Sequence, residues 1–183
     1  DISASIDPAR GAPRRRRRSG RRPERTIRAT EGHGVHSYQA SAVSLTQATE
    51  SGTVYQPGEI ESICEAAAGH GLAVHLDGAR FGNAVAALGC HPADVTWRAG
   101  IQLLSFGASK NGCLAAEGLL IFHDRLRGGR GLDPDSLRER AERLRKRSGH
   151  LLCKMRFVSA QLLAYIENGR WLELAAHANA QAA

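Results

Sequence analysis

Long hydrophobic runs, paired cysteines and early aromatics are all missing from this 183-residue chain. No apolar stretch approaches the roughly 20 residues a membrane helix needs, and no charged-then-apolar signal segment opens the sequence. A membrane protein is therefore not expected. The four cysteines, Cys64, Cys90, Cys113 and Cys153, lie far apart and form no C-x-x-C pair. That spacing argues against a compact zinc site or a disulfide framework and favours a reducing compartment, the cytoplasm. His33 and His36 make an H-x-x-H pair, but with no third ligand the expectation is a loop and no metal. No aromatic residue precedes Tyr38, so the N-terminal part has no platform for stacking single-stranded nucleic acid.

What is abundant is arginine, and it is unevenly placed. The formal net charge is +7. Residues 1–30 hold ten of the 25 basic residues and three of the 18 acidic ones, so the whole excess sits there and residues 31–183 are neutral. The stretch GAPRRRRRSGRRPERTIRAT (11–30) has no hydrophobic periodicity and buries too little to fold alone. An arginine block of this kind can bind phosphate backbones. Without aromatics, the stronger expectation is a disordered leader over residues 1–30, with no nucleic-acid partner.

From residue 31 the pattern becomes regular. AVSLT (42–46) reads as a strand, and Pro57 stands near the start of a helix through EIESICEAAAGH, ended by Gly69 or Gly71. Residues 72–76, mostly apolar, read as a buried strand. A short helix, NAVAALG (83–89), a polar link and two further strands, IQLLSF (101–106) and EGLLIF (117–122), follow. This alternation predicts a layered α/β domain over 31–123. Residues 124–136 are a Gly- and Arg-rich loop or insertion. Residues 137–183 read as helical, with a break at Ser148-Gly149. The part from Arg138 to Arg147 is charged and solvated, while Leu151, Leu152, Met155, Phe157, Val158, Leu162 and Leu163 are available to pack.

Two polar residues interrupt this pattern where α/β sheets bind ligands, at the carboxyl ends of strands. Asp77 follows the strand ending at Leu76, with Arg80 three residues on. Read alone, Asp77 is more simply a helix cap and Arg80 its local partner, since an N-cap Asp is common. Lys110 follows the next strand, inside GASKNG. A lysine in a low-dielectric pocket becomes nucleophilic enough to form a Schiff base, although a lysine in a Gly/Ser turn is usually a solvated surface residue. As a pair they match one cofactor. Pyridoxal phosphate needs a lysine for its aldehyde and a carboxylate at its ring nitrogen.

The blocks SLTQATESGTVYQPGEI, HLDGARFGNAVAALGCHPADVTWRAG, LSFGASKNG and RKRSGHLLCKMRFVSAQLLAYI together resemble the threonine aldolase / β-eliminating lyase family, from about residue 31 onward. The resemblance is closest to its low-specificity L-threonine aldolase members. It implies a partial fold-type-I pyridoxal-phosphate domain, with a mostly parallel sheet and flanking helices, leading into a helical small domain. It also implies retro-aldol cleavage of L-threonine or L-allo-threonine to glycine and acetaldehyde. By this resemblance Lys110 matches the Schiff-base lysine and Asp77 the carboxylate at the ring nitrogen. Arg80 matches an arginine of the substrate-carboxylate and cofactor site. Thr46 and Gln47 fall near the ring, and Lys146 and Arg156 near the phosphate, partly across a subunit interface of a homo-oligomer, a dimer or tetramer.

The sequence also departs from that family. Neither its Gly-rich phosphate-binding turn nor its ring-stacking histidine has a counterpart here, and the small domain is incomplete. Three lost charge-assisted hydrogen bonds at ~1.5–3 kcal/mol each would weaken cofactor binding by about three to six powers of ten. The expectation is an impaired lyase. The rivals are a β-eliminating amino acid lyase of the same superfamily, an arginine-led nucleic-acid or interaction protein, and an inactive remnant.

Overall fold

The structure, a computed structural model, describes residues 3–6, 26–28, 35–36, 39–123 and 133–182. Five strands form one sheet in chain order: β1 (Ser3–Ile6), β2 (Ala42–Thr46), β3 (Ala73–Gly78), β4 (Leu103–Gly107) and β5 (Glu117–Ile121). The first four run parallel, and β5 returns antiparallel along β4. Parallel neighbours need crossovers of a dozen or more residues. Helix α1 (Pro57–Gly69) lies in the crossover from β2 to β3, and α2 (Phe81–Leu88) in the crossover from β3 to β4. After β5 come α3 (Pro134–Arg147), α4 (Arg156–Ile166) and α5 (Arg170–Ala182).

Strict alternation gives the sheet two unlike faces. Val43, Leu45, Val74, Leu76, Leu104 and Phe106 are buried, while Ser44, Thr46, His75, Asp77 and Ser105 between them are half-buried. The apolar set shares one core with Ile60, Ile63 and Ala67 of α1, Val85 of α2, and Val95 and Ile101 of the following link. Each large aliphatic side chain so buried is worth about 1.5–3 kcal/mol. Helix α1 starts where the Gln56 amide donates to Glu59 Oε2 at 2.9 Å ahead of Pro57. Helix α2 stops at Gly89, whose φ of +61° suits glycine.

The aromatic residues are few but gathered. Phe81 stacks on Trp171 with centroids 5.9 Å apart. Phe106 meets Tyr165 at 5.8 Å and Trp171 at 5.6 Å. This cluster docks α4 and α5 against the start of α2 and the end of β4. Asn83 and Asn179 add two reciprocal hydrogen bonds of 3.0 Å between α2 and α5.

Several expectations need correction. The strand read as ending at Leu76 continues to Gly78, because β2 and β4 extend far enough to pair Asp77 and Gly78. The link at 91–100 is not merely polar, since it winds into a 3-10 turn, Pro92–Val95, and buries Ala93, Val95 and Thr96. The leader is not structureless throughout. Ser3–Ile6 pairs with Ala42–Leu45, where a partner strand satisfies its backbone groups, and Ile27 is buried in a helical turn. Leu151, Leu152, Phe157 and Leu163 are exposed, whereas Val158 and Leu162 pack on the core. Helix α4 thus turns only one side inward. Most of the leader, His33 and residues 124–132 of the loop lie outside the described residues. Among the described residues, no helix is long and apolar enough to cross a membrane.

Candidate active site

Asp77 stands on β3 in register with Thr46 on β2 and Ser105 on β4. Its backbone carbonyl accepts the Gln47 amide at 2.9 Å, and its Oδ1 accepts the Ala79 amide at 3.0 Å. The other carboxylate oxygen has no protein partner among the described residues. Lys110 lies in the 3-10 turn Ser109–Asn111 directly after β4. Because β3 and β4 are parallel neighbours, both residues leave the sheet at the same edge. Gly107 lets their loops touch, since a Cβ there would lie 2.7 Å from Ala79 Cα. Gly78 does the same one step earlier, with a Cβ reaching to 2.7 Å from the Ser105 carbonyl.

The lysine turn is anchored on both sides. Ser109 Oγ accepts the Ala116 amide at 3.1 Å. Asn111 is buried, and its Nδ2 donates to Tyr165 Oη at 2.6 Å and to the Trp171 carbonyl at 2.8 Å. Burial pushes the Tyr165 hydroxyl above its usual range, with the bond from Asn111 opposing. Tyr165 therefore stays protonated at neutral pH. Lys110 itself is exposed between these anchors. The described residues do not supply the enclosing pocket that the nucleophilic reading places around it.

Arg80 Nη1 lies 2.9 Å from Glu50 Oε1, an ion pair joining the loops that follow β2 and β3. Thr46 is half-buried beside Asp77. Gln47 is fully buried, and its amide is spent on the loop ahead of α1: Nε2 donates to the Tyr55 carbonyl and Oε1 accepts the Tyr55 amide, each at 2.9 Å. Lys146, in the last turn of α3, is exposed. Arg156 begins α4 and lies 4.9 Å over the Phe157 ring. No hydrogen bond or ion pair among the described residues joins either one to Asp77, Arg80 or Lys110. A groove of about 890 Å3 separates α3 from the β4–β5 edge; Ser105, Ser109 and Glu117 line one wall and Arg138 and Arg145 the other.

Three contributors were not singled out from the sequence: Glu50, Asn111 and His75. His75 Nδ1 is 2.9 Å from Ser44 Oγ and its Nε2 is 2.8 Å from Ser105 Oγ, a bridge across three strands. Burial lowers its pKa, and the nearby Asp77 charge partly offsets this. The signal was present as alternation, S-x-T, H-x-D and S-x-G in β2, β3 and β4, which puts these side chains on one face. Among the described residues, no group of three or more His, Cys, Asp or Glu could hold a metal ion.

Comparison with known proteins identifies the family. A family model described as beta-eliminating lyase matches residues 21–183. The chain belongs to the β-eliminating lyase family. The match begins inside the arginine-rich stretch. Among its relatives, a low specificity L-threonine aldolase of Pseudomonas sp. (strain NCIMB 10558) is 43% identical over 145 residues, covering 79% of this chain and 39% of the relative. A low specificity L-threonine aldolase of Pseudomonas aeruginosa is 41% identical over the same length and the same shares. The solved structure of a Leishmania major threonine aldolase superposes with a TM-score of 0.71 at 28% identity, covering 87% of this chain and 43% of that one. The chain thus spans about two-fifths of the length of the curated relatives it matches.

Proposed function

We propose that this chain carries the lysine–aspartate half of a pyridoxal-phosphate site. In a protein of its relatives' length, that site would cleave L-threonine or L-allo-threonine to glycine and acetaldehyde by a retro-aldol reaction. The observation that carries the reading is the placing of Asp77 and Lys110 at the carboxyl ends of adjacent parallel strands, with their loops in contact at Gly107 and Ala79. Binding in the crevice outside such strand ends is the general rule for open α/β sheets. The 41–43% identity to low specificity L-threonine aldolases supports the substrate class.

The residues present fit the ring and aldehyde ends of the cofactor: an amine on an exposed turn, and a carboxylate with one oxygen unspent and hydroxyls in register on both sides. When bound, the cofactor supplies an electron-accepting ring that stabilises the charge released as a bond to the substrate Cα breaks. Asp77, through its unspent oxygen, would hold the proton on the ring nitrogen. Lys110 would hold the aldehyde carbon until a substrate amine replaces it. Arg80 would orient the substrate carboxylate by exchanging its partner Glu50, an exposed pair worth little in itself. Thr46 would border the ring. Gln47 acts at one remove, bracing the loop that carries Glu50. Lys146 and Arg156 would serve the phosphate only across a subunit interface of a homo-oligomer.

The test is the absorbance of the 183-residue chain with pyridoxal phosphate after desalting. The reading predicts a visible band that Lys110→Ala abolishes and Asp77→Asn weakens. A band indifferent to both substitutions contradicts it. Products then separate the classes, since retro-aldol cleavage gives glycine and an aldehyde, whereas β-elimination gives pyruvate and ammonia.

A further inference from the structure

The polar face of the sheet has a feature that the reaction just described leaves unused. His75 and Asp77 are two residues apart on β3, so both side chains emerge on the same face, about 6–7 Å apart along the strand. At that spacing an imidazole can turn toward the carboxylate and pair with it. Here both ring nitrogens are already engaged, Nδ1 with Ser44 Oγ at 2.9 Å and Nε2 with Ser105 Oγ at 2.8 Å. Ser105 is also the register partner of Asp77. We propose that His75 is a positioning residue for Asp77: clamped between Ser44 and Ser105 across three strands, it is kept from pairing with Asp77, whose second oxygen stays open to a ligand.

Serine hydroxyls donate or accept with equal ease. One serine therefore donates to the bare ring nitrogen while the other accepts from the N–H, and neither neutral tautomer leaves a group unmet. Burial favours that neutral form. The Asp77 side chain meanwhile takes one bond from the chain, at Oδ1 from the Ala79 amide. An Asp77 paired with an imidazolium would have part of its charge neutralised and its free oxygen covered, whereas a protonated ring nitrogen needs the full charge and the open oxygen. The inference rests on the pyridoxal-phosphate reading for the identity of the ligand; the clamp itself does not.

Two measurements test it. The first uses the cofactor-free chain and follows the imidazole nitrogens by NMR at neutral pH. Wild type should show His75 neutral. The double variant Ser44→Ala/Ser105→Ala should show it shifted toward the charged, Asp77-paired form, and adding Asp77→Asn should reverse that shift. A His75 signal unmoved by loss of both serines overturns the proposal. The second measures pyridoxal phosphate affinity in a double-mutant cycle. Ser105→Ala should weaken binding by about tenfold when Asp77 is present and leave it unchanged in the Asp77→Asn background. Equal losses in both backgrounds would mean a merely structural role and overturn the proposal. Failure of wild type to bind the cofactor at all would instead contradict the functional reading, and the NMR arm would still decide the clamp.

Discussion

Asn111 is the most informative place to perturb the site without touching its chemistry. Its Nδ2 donates to Tyr165 Oη at 2.6 Å and to the Trp171 carbonyl at 2.8 Å, and the side chain is buried. Asn111→Ala removes both bonds and leaves two polar groups facing a small apolar void. Each unmet buried group costs about 1–3 kcal/mol, so the expected loss is about 2–6 kcal/mol, a large share of the ~5–15 kcal/mol of a typical domain. With a urea slope near ~2 kcal/mol per molar, the midpoint should fall by about 1–3 M. Trp171 stacks in the adjoining cluster, so its fluorescence follows the transition. Asn111→Asp should also destabilise, because a carboxylate can only reverse the first bond, accepting from Tyr165 Oη, and sets an oxygen with no proton to donate against the Trp171 carbonyl. If Asn111→Ala stays within about 0.5 kcal/mol of wild type, the range of ordinary surface changes, the lysine turn is not anchored as described.

Other outcomes follow from the same geometry. Gly107→Ala forces a Cβ to 2.7 Å from the Ala79 backbone, where no flexible side chain can give way. It should cost about 1–3 kcal/mol in a urea melt and weaken cofactor binding by parting the two loops. Burial holds the folded-state pKa of His75 below its ordinary 6.5, so below that pH the unfolded chain binds the extra proton first. Stability should be fully present above pH 6.5 and be lost as pH falls through the lowered value, and His75→Gln should flatten that dependence. Glu50→Gln breaks an ion pair whose side chains are 37% and 77% exposed. It should change stability by less than about 1 kcal/mol, and a larger drop would mean that the pair organises the loops after β2 and β3.

The parts of the molecule legible in the sequence were those governed by local rules. Pro57 and Gly71 bracket α1, and the apolar alternation of 43–45 and 74–76 marks strands whichever way they pair. Asp77 and Lys110 stood out because a charged residue at the end of an apolar run is a local signal. The clamp on His75 was not legible, since it depends on a register that brings Ser44 and Ser105 within 3 Å from 31 and 30 residues away. Asn111 was missed for the same reason, its partners lying 54 and 60 residues further along. The strand Ser3–Ile6 has no apolar run of its own and owes its form to the backbone of β2. Phe157 and Leu163 show the converse limit. Hydrophobicity identifies side chains that can pack, but not whether the same chain holds anything to cover them.

The central claim, that Lys110 is the amine that takes the cofactor, can be tested by reductive trapping. The chain has three lysines, Lys110, Lys146 and Lys154, and all three are exposed. The protein would be incubated with pyridoxal phosphate at increasing concentration, reduced with borohydride, and mapped by peptide mass spectrometry. The account predicts saturable labelling concentrated on Lys110 and sharply reduced by Asp77→Asn. Labelling spread evenly over Lys110, Lys146 and Lys154, rising without saturation and indifferent to Asp77, would contradict it.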